Sequence, residues 1–183
     1  MSYQIWHNYG YGFKMDNLDQ VEITRKNMNA AISVSPTLQA IFKELPTAPA
    51  YIQESEDDEP VLDTDEMDNI LYLYGLREDW GNMPGCVELY YSFRDVRTFL
   101  LWVLLNDLAK AKYHWKPFSF AEDCDGTQYI MHQPVYPWRM SAEATHPKSE
   151  DELVELYRKA IALLFGEHAP IVEIDYMTVE NGG

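Results

Sequence analysis

Residues 92–114 read Ser-Phe-Arg-Asp-Val-Arg-Thr-Phe-Leu-Leu-Trp-Val-Leu-Leu-Asn-Asp-Leu-Ala-Lys-Ala-Lys-Tyr-His. Val96, Phe99, Leu100, Val103 and Leu104 recur at three- and four-residue spacing, which is one face of a 3.6-period helix. Leu101, Trp102 and Leu105 make the middle apolar nearly all round. A helix of that kind is buried on most sides or lies in an interface. The pattern predicts a central helix over 93–113, packed within the chain or, on the other reading, serving as a homodimer contact. Ser92 and Asp95 have capping-box spacing, and Lys110 and Lys112 suit the helix C-terminus. The apolar run Phe99–Leu105 is far too short to cross a bilayer, which takes about 20 residues.

Around this helix the chain divides into alternating and periodic stretches. Residues 3–13 alternate as a strand, with Tyr3, Ile5, His7, Tyr9, Tyr11 and Phe13 on one face. Gly10 and Gly12 leave the other face bare, so a neighbouring helix or a ligand can approach the backbone there. Residues 17–33 form a weak helical pattern, and Ser35-Pro36 opens a helix that runs to about Leu45. Thr64 is a candidate cap for a short segment ending near Gly75, whose Ile70–Tyr74 suits a helix or a strand. Strands are expected at Cys86–Phe93, Pro117–Cys124, Thr127–Gln133 and Pro170–Val179, with Asp125-Gly126 as a hairpin turn. Ser149 and Glu152 form a capping box for a helix ending at Phe165-Gly166. The order lacks regular βαβ alternation. The expected fold is α+β in one domain over 1–183, a mostly antiparallel sheet of about five strands with helices on one face.

Charge is unevenly distributed. Of 30 acids and 14 bases, residues 51–85 carry eleven acids and one base, Arg77. Residues 54–68 alone hold nine acids and no base, within an acidic loop segment at about 51–69. This is read as a solvated loop or, functionally, as a recognition surface led by Glu56, Asp57, Asp58 and Glu59. An EF-hand loop from Asp63 fails, because Asp68 stands where Gly is needed and Tyr74 where Glu is needed. No metal or cofactor is expected. A net charge of −16 argues against direct nucleic-acid binding and against anionic membranes. With no visible secretion signal and only Cys86 and Cys124, a cytoplasmic location is the default expectation.

Pro134-Val-Tyr-Pro-Trp138 is the most distinctive local stretch. Its prolines exclude a central strand, Tyr136-Pro137 is a candidate cis bond, and Tyr136 and Trp138 are large flat groups on a stiff segment. They form either a lid over the core or a contact site for a ligand or partner.

At Asp123-Cys-Asp-Gly126, Tyr136-Pro-Trp138 and Val179-Glu-Asn-Gly-Gly183, the chain resembles a group of uncharacterised bacterial hypothetical proteins. The likeness covers roughly the last 90 residues and implies a bacterial origin, but it carries over no activity and no site residue.

Catalytic signatures are absent: no Gly-x-Ser-x-Gly, His-Glu-x-x-His, P-loop or Cys-x-x-Cys. The best enzyme constellation is His132 with Asp123, Asp125 and Cys124 near one hairpin, and it is weak, because Asp is ordinary in a turn. The terminal Gly-Gly resembles sulfur-carrier tails, although those domains are much shorter. Three functions stand. The first is an acidic bacterial interaction or accessory module for a protein partner. The second is a DNA mimic that blocks a nucleic-acid-binding protein. The third is an enzyme with an unrecognised site, in which Trp138 closes over Gly10 and Gly12.

Overall fold

The computed structural model describes residues 5–45, 47–75, 95–132, 147 and 149–182. The order of elements is β1 (Ile5–Lys14), α1 (Arg25–Val34), α2 (Pro36–Glu44), β2 (Tyr51–Ile52), β3 (Val61–Leu62), α3 (Thr64–Gly75), α4 (Val96–Tyr113), β4 (Phe118–Glu122), β5 (Gln128–His132), α5 (Glu150–Phe165) and β6 (Asp175–Gly182). Four strands form an antiparallel sheet in the order β4-β5-β1-β6, and β2 and β3 form a separate two-stranded ladder. The fold is α+β, as the sequence pattern predicts. The expected strand Cys86–Phe93 and the Pro134–Trp138 stretch lie outside the described residues.

The central helix is α4. Phe99, Leu100, Leu101, Leu104 and Leu105 are fully buried, each contributing roughly 1.5–3 kcal/mol relative to exposure. Helices α1, α2, α3 and α5 and strands β4 and β5 pack around it, and Trp102 and Leu108 stay partly exposed. It starts three residues later than predicted. Asp95 is extended and occupies the N-cap position, and its carboxylate engages Arg97 at 3.3 Å; Ser92, the other member of the expected capping box, lies outside the described residues. At the other end His114 takes a left-handed conformation, φ 63°.

Thr98, Asn106 and Asp107 are the polar residues buried on this helix, and the last two each anchor a different element. Asn106 is 1 % exposed. Its Nδ2 donates to the Phe118 carbonyl and its Oδ1 accepts from the Phe118 N–H, both at 3.1 Å, which clamps the start of β4. The Asp107 carboxylate accepts from the Ser35 hydroxyl (2.6 Å), the Thr37 N–H (2.8 Å) and the Thr37 hydroxyl (2.8 Å). It thereby caps α2, whose N-cap is Ser35 and whose first residue is Pro36, as the Ser-Pro signal indicated.

The sheet has two buried faces. Tyr11, Phe13, Phe118 and Ile130 join the helices in the main core. Opposite them, Ala121, Tyr129, Met131 and Val179 form a smaller cluster with Met177. The second cluster is possible because the sheet is rolled: β4 and β6, at opposite ends of the strand order, come close to each other. Gly10 and Gly12 permit the roll. A Cβ on Gly10 would sit 2.5 Å from the His132 carbonyl oxygen, and one on Gly12 would sit 2.6 Å from Met131 Cα. The close approach expected at these glycines is made by strand β5.

Three boundaries differ from the sequence reading. Residues 17–23 are not helical, and α1 begins only after Thr24, whose hydroxyl accepts from the Asn27 N–H. Asp63, not Thr64, caps α3 by accepting the Glu66 N–H at 3.0 Å. The last strand starts at Asp175 instead of Pro170. Pairing with β1 sets its register, with Tyr11 opposite Tyr176 and Gly12 opposite Asp175.

Candidate functional site

The acidic segment is the most distinctive described surface. Strands β2 and β3 pair through Tyr51↔Leu62 and Ile52↔Val61, leaving 53–60 as a connecting turn. The turn is braced from within. Gln53 Nε2 donates to the Asp58 carbonyl at 3.0 Å and the Glu56 carbonyl at 3.3 Å, and the Asp58 N–H donates to the Ser55 carbonyl. It is also tied to α1. The Glu59 carboxylate accepts the Lys26 N–H at 3.1 Å, and the Pro60 carbonyl accepts the Arg25 N–H at 2.7 Å. Both donors are first-turn N–H groups that a helix leaves without partners of its own. Arg25 stacks over the Tyr51 ring at 4.6 Å.

Glu54, Glu56, Asp57, Asp58 and Glu59 are all exposed, and Asp65 and Glu66 continue the acidic surface onto the first turn of α3. Four of these positions, Glu56, Asp57, Asp58 and Glu59, are the sequence-selected contact residues. The braces act on backbone and on Gln53, so most of the carboxylates remain directed to solvent on a held backbone. Among the described residues no group of three or more His, Cys, Asp or Glu side chains is arranged to hold a metal ion.

The other selected positions fare differently. Gly10 and Gly12 lie against β5, whose backbone fills the space a side chain at either position would need. Tyr136 and Trp138 lie outside the described residues, as does the Tyr136-Pro137 bond. The hairpin constellation does not assemble. Asp123 and Cys124 sit at the tip of the β4–β5 hairpin, while His132 lies at its far end opposite Phe118, about 13 Å away along the strand. His132 packs edge-on to Trp115 and Phe118. Asp123 instead builds the turn. Its Oδ1 accepts from the Asp125 and Thr127 N–H groups and its Oδ2 from the Tyr129 hydroxyl at 2.7 Å. Burial would raise the Asp123 carboxyl, but these donors outweigh it and hold the group below its ordinary 3.8. Burial first, and then the Asp123 carboxylate, push Tyr129 up to about 12. Gly182 is paired with Ile5 in the sheet, unlike the free tail of a sulfur carrier.

Two shallow clefts flank α5. One, of 230 Å³, lies beside its C-terminus between Arg158, Ile161 and the 166–172 loop. The other, of 290 Å³, lies between α4 and α5 over Leu108, Ala111 and Leu156, with Lys112, Glu152, Glu155 and Lys159 at its rim. Neither gathers a nucleophile beside a base. No described helix is long and apolar enough to cross a membrane. Sequence reading missed the tyrosines shared by β1 and β6. Tyr176 lies opposite Tyr11 and its ring meets Tyr11 edge-on at 4.9 Å. Alternation within each strand marked both residues, but only the strand pairing brings them together.

Comparison with protein-family models, curated proteins and solved structures finds no match for the chain.

Proposed function

We propose that this chain is an interaction module that binds a basic surface of a protein partner through the acidic turn 53–60 and the first turn of α3. The observation that carries the reading is the combination of exposed carboxylates with an internally braced backbone. Held carboxylates steer a basic partner and lose less conformational freedom on binding. The same bracing favours a narrower version, in which the partner is a nucleic-acid-binding protein and the acids stand in for phosphates, because mimicry requires charges at a constant spacing. The bacterial cytosol is the proposed setting. It rests on the resemblance at Asp123–Gly126, Tyr136–Trp138 and Val179–Gly183 and on the sparse cysteine content.

The test is affinity capture from bacterial lysate with the wild-type chain and with a Glu54→Gln, Glu56→Gln, Asp57→Asn, Asp58→Asn variant, each at low and high salt. The expected partner is retained by the wild type at low salt and lost with the variant. Displacement of that partner by duplex DNA selects the mimic version. Equal retention by wild type and variant would end the proposal.

A further inference from the structure

Helix α5 ends at Phe165 with Gly166 as its C-cap. The loop after it is held as a turn, in which the Ala169 N–H donates to the Gly166 carbonyl at 3.2 Å. Val172 then packs into the main core, while its neighbour Ile171 is 91 % exposed. The buried valine therefore fixes the backbone from which the isoleucine projects. A lone exposed isoleucine is ordinary on a protein surface. This one lines the 230 Å³ cleft at the end of α5, together with Ile161 and Ala169. That volume falls below the roughly 300 Å³ at which ordinary ligand pockets begin, and it suits an inserted aliphatic side chain.

Two charges of opposite sign line the same cleft, Arg158 from α5 and Glu167 from the loop. Arg158 stands two turns before the end of the helix, about 11 Å along its axis. Both residues are exposed, and neither forms an ion pair among the described residues. One face thus carries an aliphatic knob, an apolar recess, a free cation and a free anion. A two-fold axis makes every contact twice with the roles exchanged. It can seat Ile171 of each copy in the cleft of the other and set Arg158 of each copy against Glu167 of the other. An unrelated partner must present all four features in complementary order, whereas a second copy carries them by identity. The net charge of −16 opposes association, and salt screens that repulsion, with a Debye length of about 8 Å at 0.15 M.

We infer that the cleft at the end of α5 and the 166–172 loop form a two-fold self-association surface, with Ile171 as the inserted side chain and Arg158–Glu167 as the reciprocal ion pairs. This surface goes beyond the acidic-turn reading and stands without it.

The test is sedimentation equilibrium of the full chain over a concentration series at about 0.15 M salt. The wild-type mass is expected to rise with concentration toward that of a dimer. Ile171→Asp, at a site already in solvent, is expected to weaken self-association about tenfold or more. Arg158→Glu and Glu167→Arg should each weaken it alone, because like charges then meet across the axis. An equimolar mixture of these two variants should regain it, because both reciprocal pairs of the mixed dimer are again of opposite sign. A wild type that stays monomeric at every concentration overturns the inference. So does a dimer that tolerates Ile171→Asp, which would put the contact on another face. So does a mixture of the two charge variants that associates no better than either variant alone.

Discussion

Two carboxylates far from each other in the fold do the same job. Asp107, on the central helix, accepts the Thr37 N–H in the first turn of α2, and Glu59, on the acidic turn, accepts the Lys26 N–H in the first turn of α1. Both come from distant sequence and both place negative charge at a helix N-terminus. Their settings are opposite. The Asp107 side chain is 4 % exposed and also holds two hydroxyls, whereas Glu59 is in solvent. A buried carboxylate with satisfied donors specifies how two helices dock, because its loss strands every donor around it. The surface carboxylate only steadies a turn, and water replaces it readily. The chain therefore keeps one costly charge inside as a docking pin and displays the inexpensive ones outside, where they remain available to a partner.

The comparison breaks most directly at Asp107. Asp107→Ala is expected to cost about 3–5 kcal/mol in chemical denaturation, with little change between low and high salt. A loss below about 1 kcal/mol would mean that the carboxylate is no pin. Next comes acid titration. The Asp123 carboxyl is depressed in the folded chain, so its stabilisation is present above 3.8 and is lost as pH falls through the lower folded value. Denaturation midpoints should drop more steeply below pH 3.8 in the wild type than in Asp123→Asn, and parallel curves would show that the turn draws nothing from the charge. Glu59→Ala should cost less than about 1 kcal/mol, and the difference should shrink with added salt. A cost matching Asp107→Ala would erase the distinction between the two sites. The smallest effect is expected at Lys116, whose ammonium lies 3.6 Å from Asp107 but is 42 % exposed. Lys116→Met should change stability by roughly 0.5 kcal/mol or less, because the hydroxyl and N–H donors already satisfy the carboxylate.

Much of this fold could be read from local pattern. The periodicity of Val96–Leu105, the Ser35-Pro36 start and the Asp125-Gly126 turn each depend on near neighbours, and all three elements are present. What stayed hidden depends on partners distant in sequence. Asn106 and Asp107 look like ordinary polar residues in a helix until Phe118, Ser35 and Thr37 are placed beside them. Gly10 and Gly12 announce a close approach but not the strand that makes it. The start of β6 was misplaced because Val172 and Ile174 alternate like a strand, while only pairing with β1 decides where the ladder begins. The acidic run was legible as composition. Its bracing by Gln53 and its ties to α1 were not, because one glutamine and two backbone carbonyls leave no charge or periodicity signal.

The pairing of β1 with β6 has a consequence for synthesis on the ribosome. β1 is an inner strand of the sheet, yet its partner on one side emerges only after roughly 160 residues or more of intervening chain, a wait of roughly 10–30 s at ordinary elongation rates. Until then Tyr9, Tyr11 and Phe13 sit on a strand with one edge unpaired, while the helical half of the chain can already condense around α4. The sheet is thus completed only after the helices, by closure across roughly 160 residues or more of chain. Nascent chains stalled before Asp175 should hold a formed helical core beside an unpaired aromatic strand, the kind of segment that chaperones recognise.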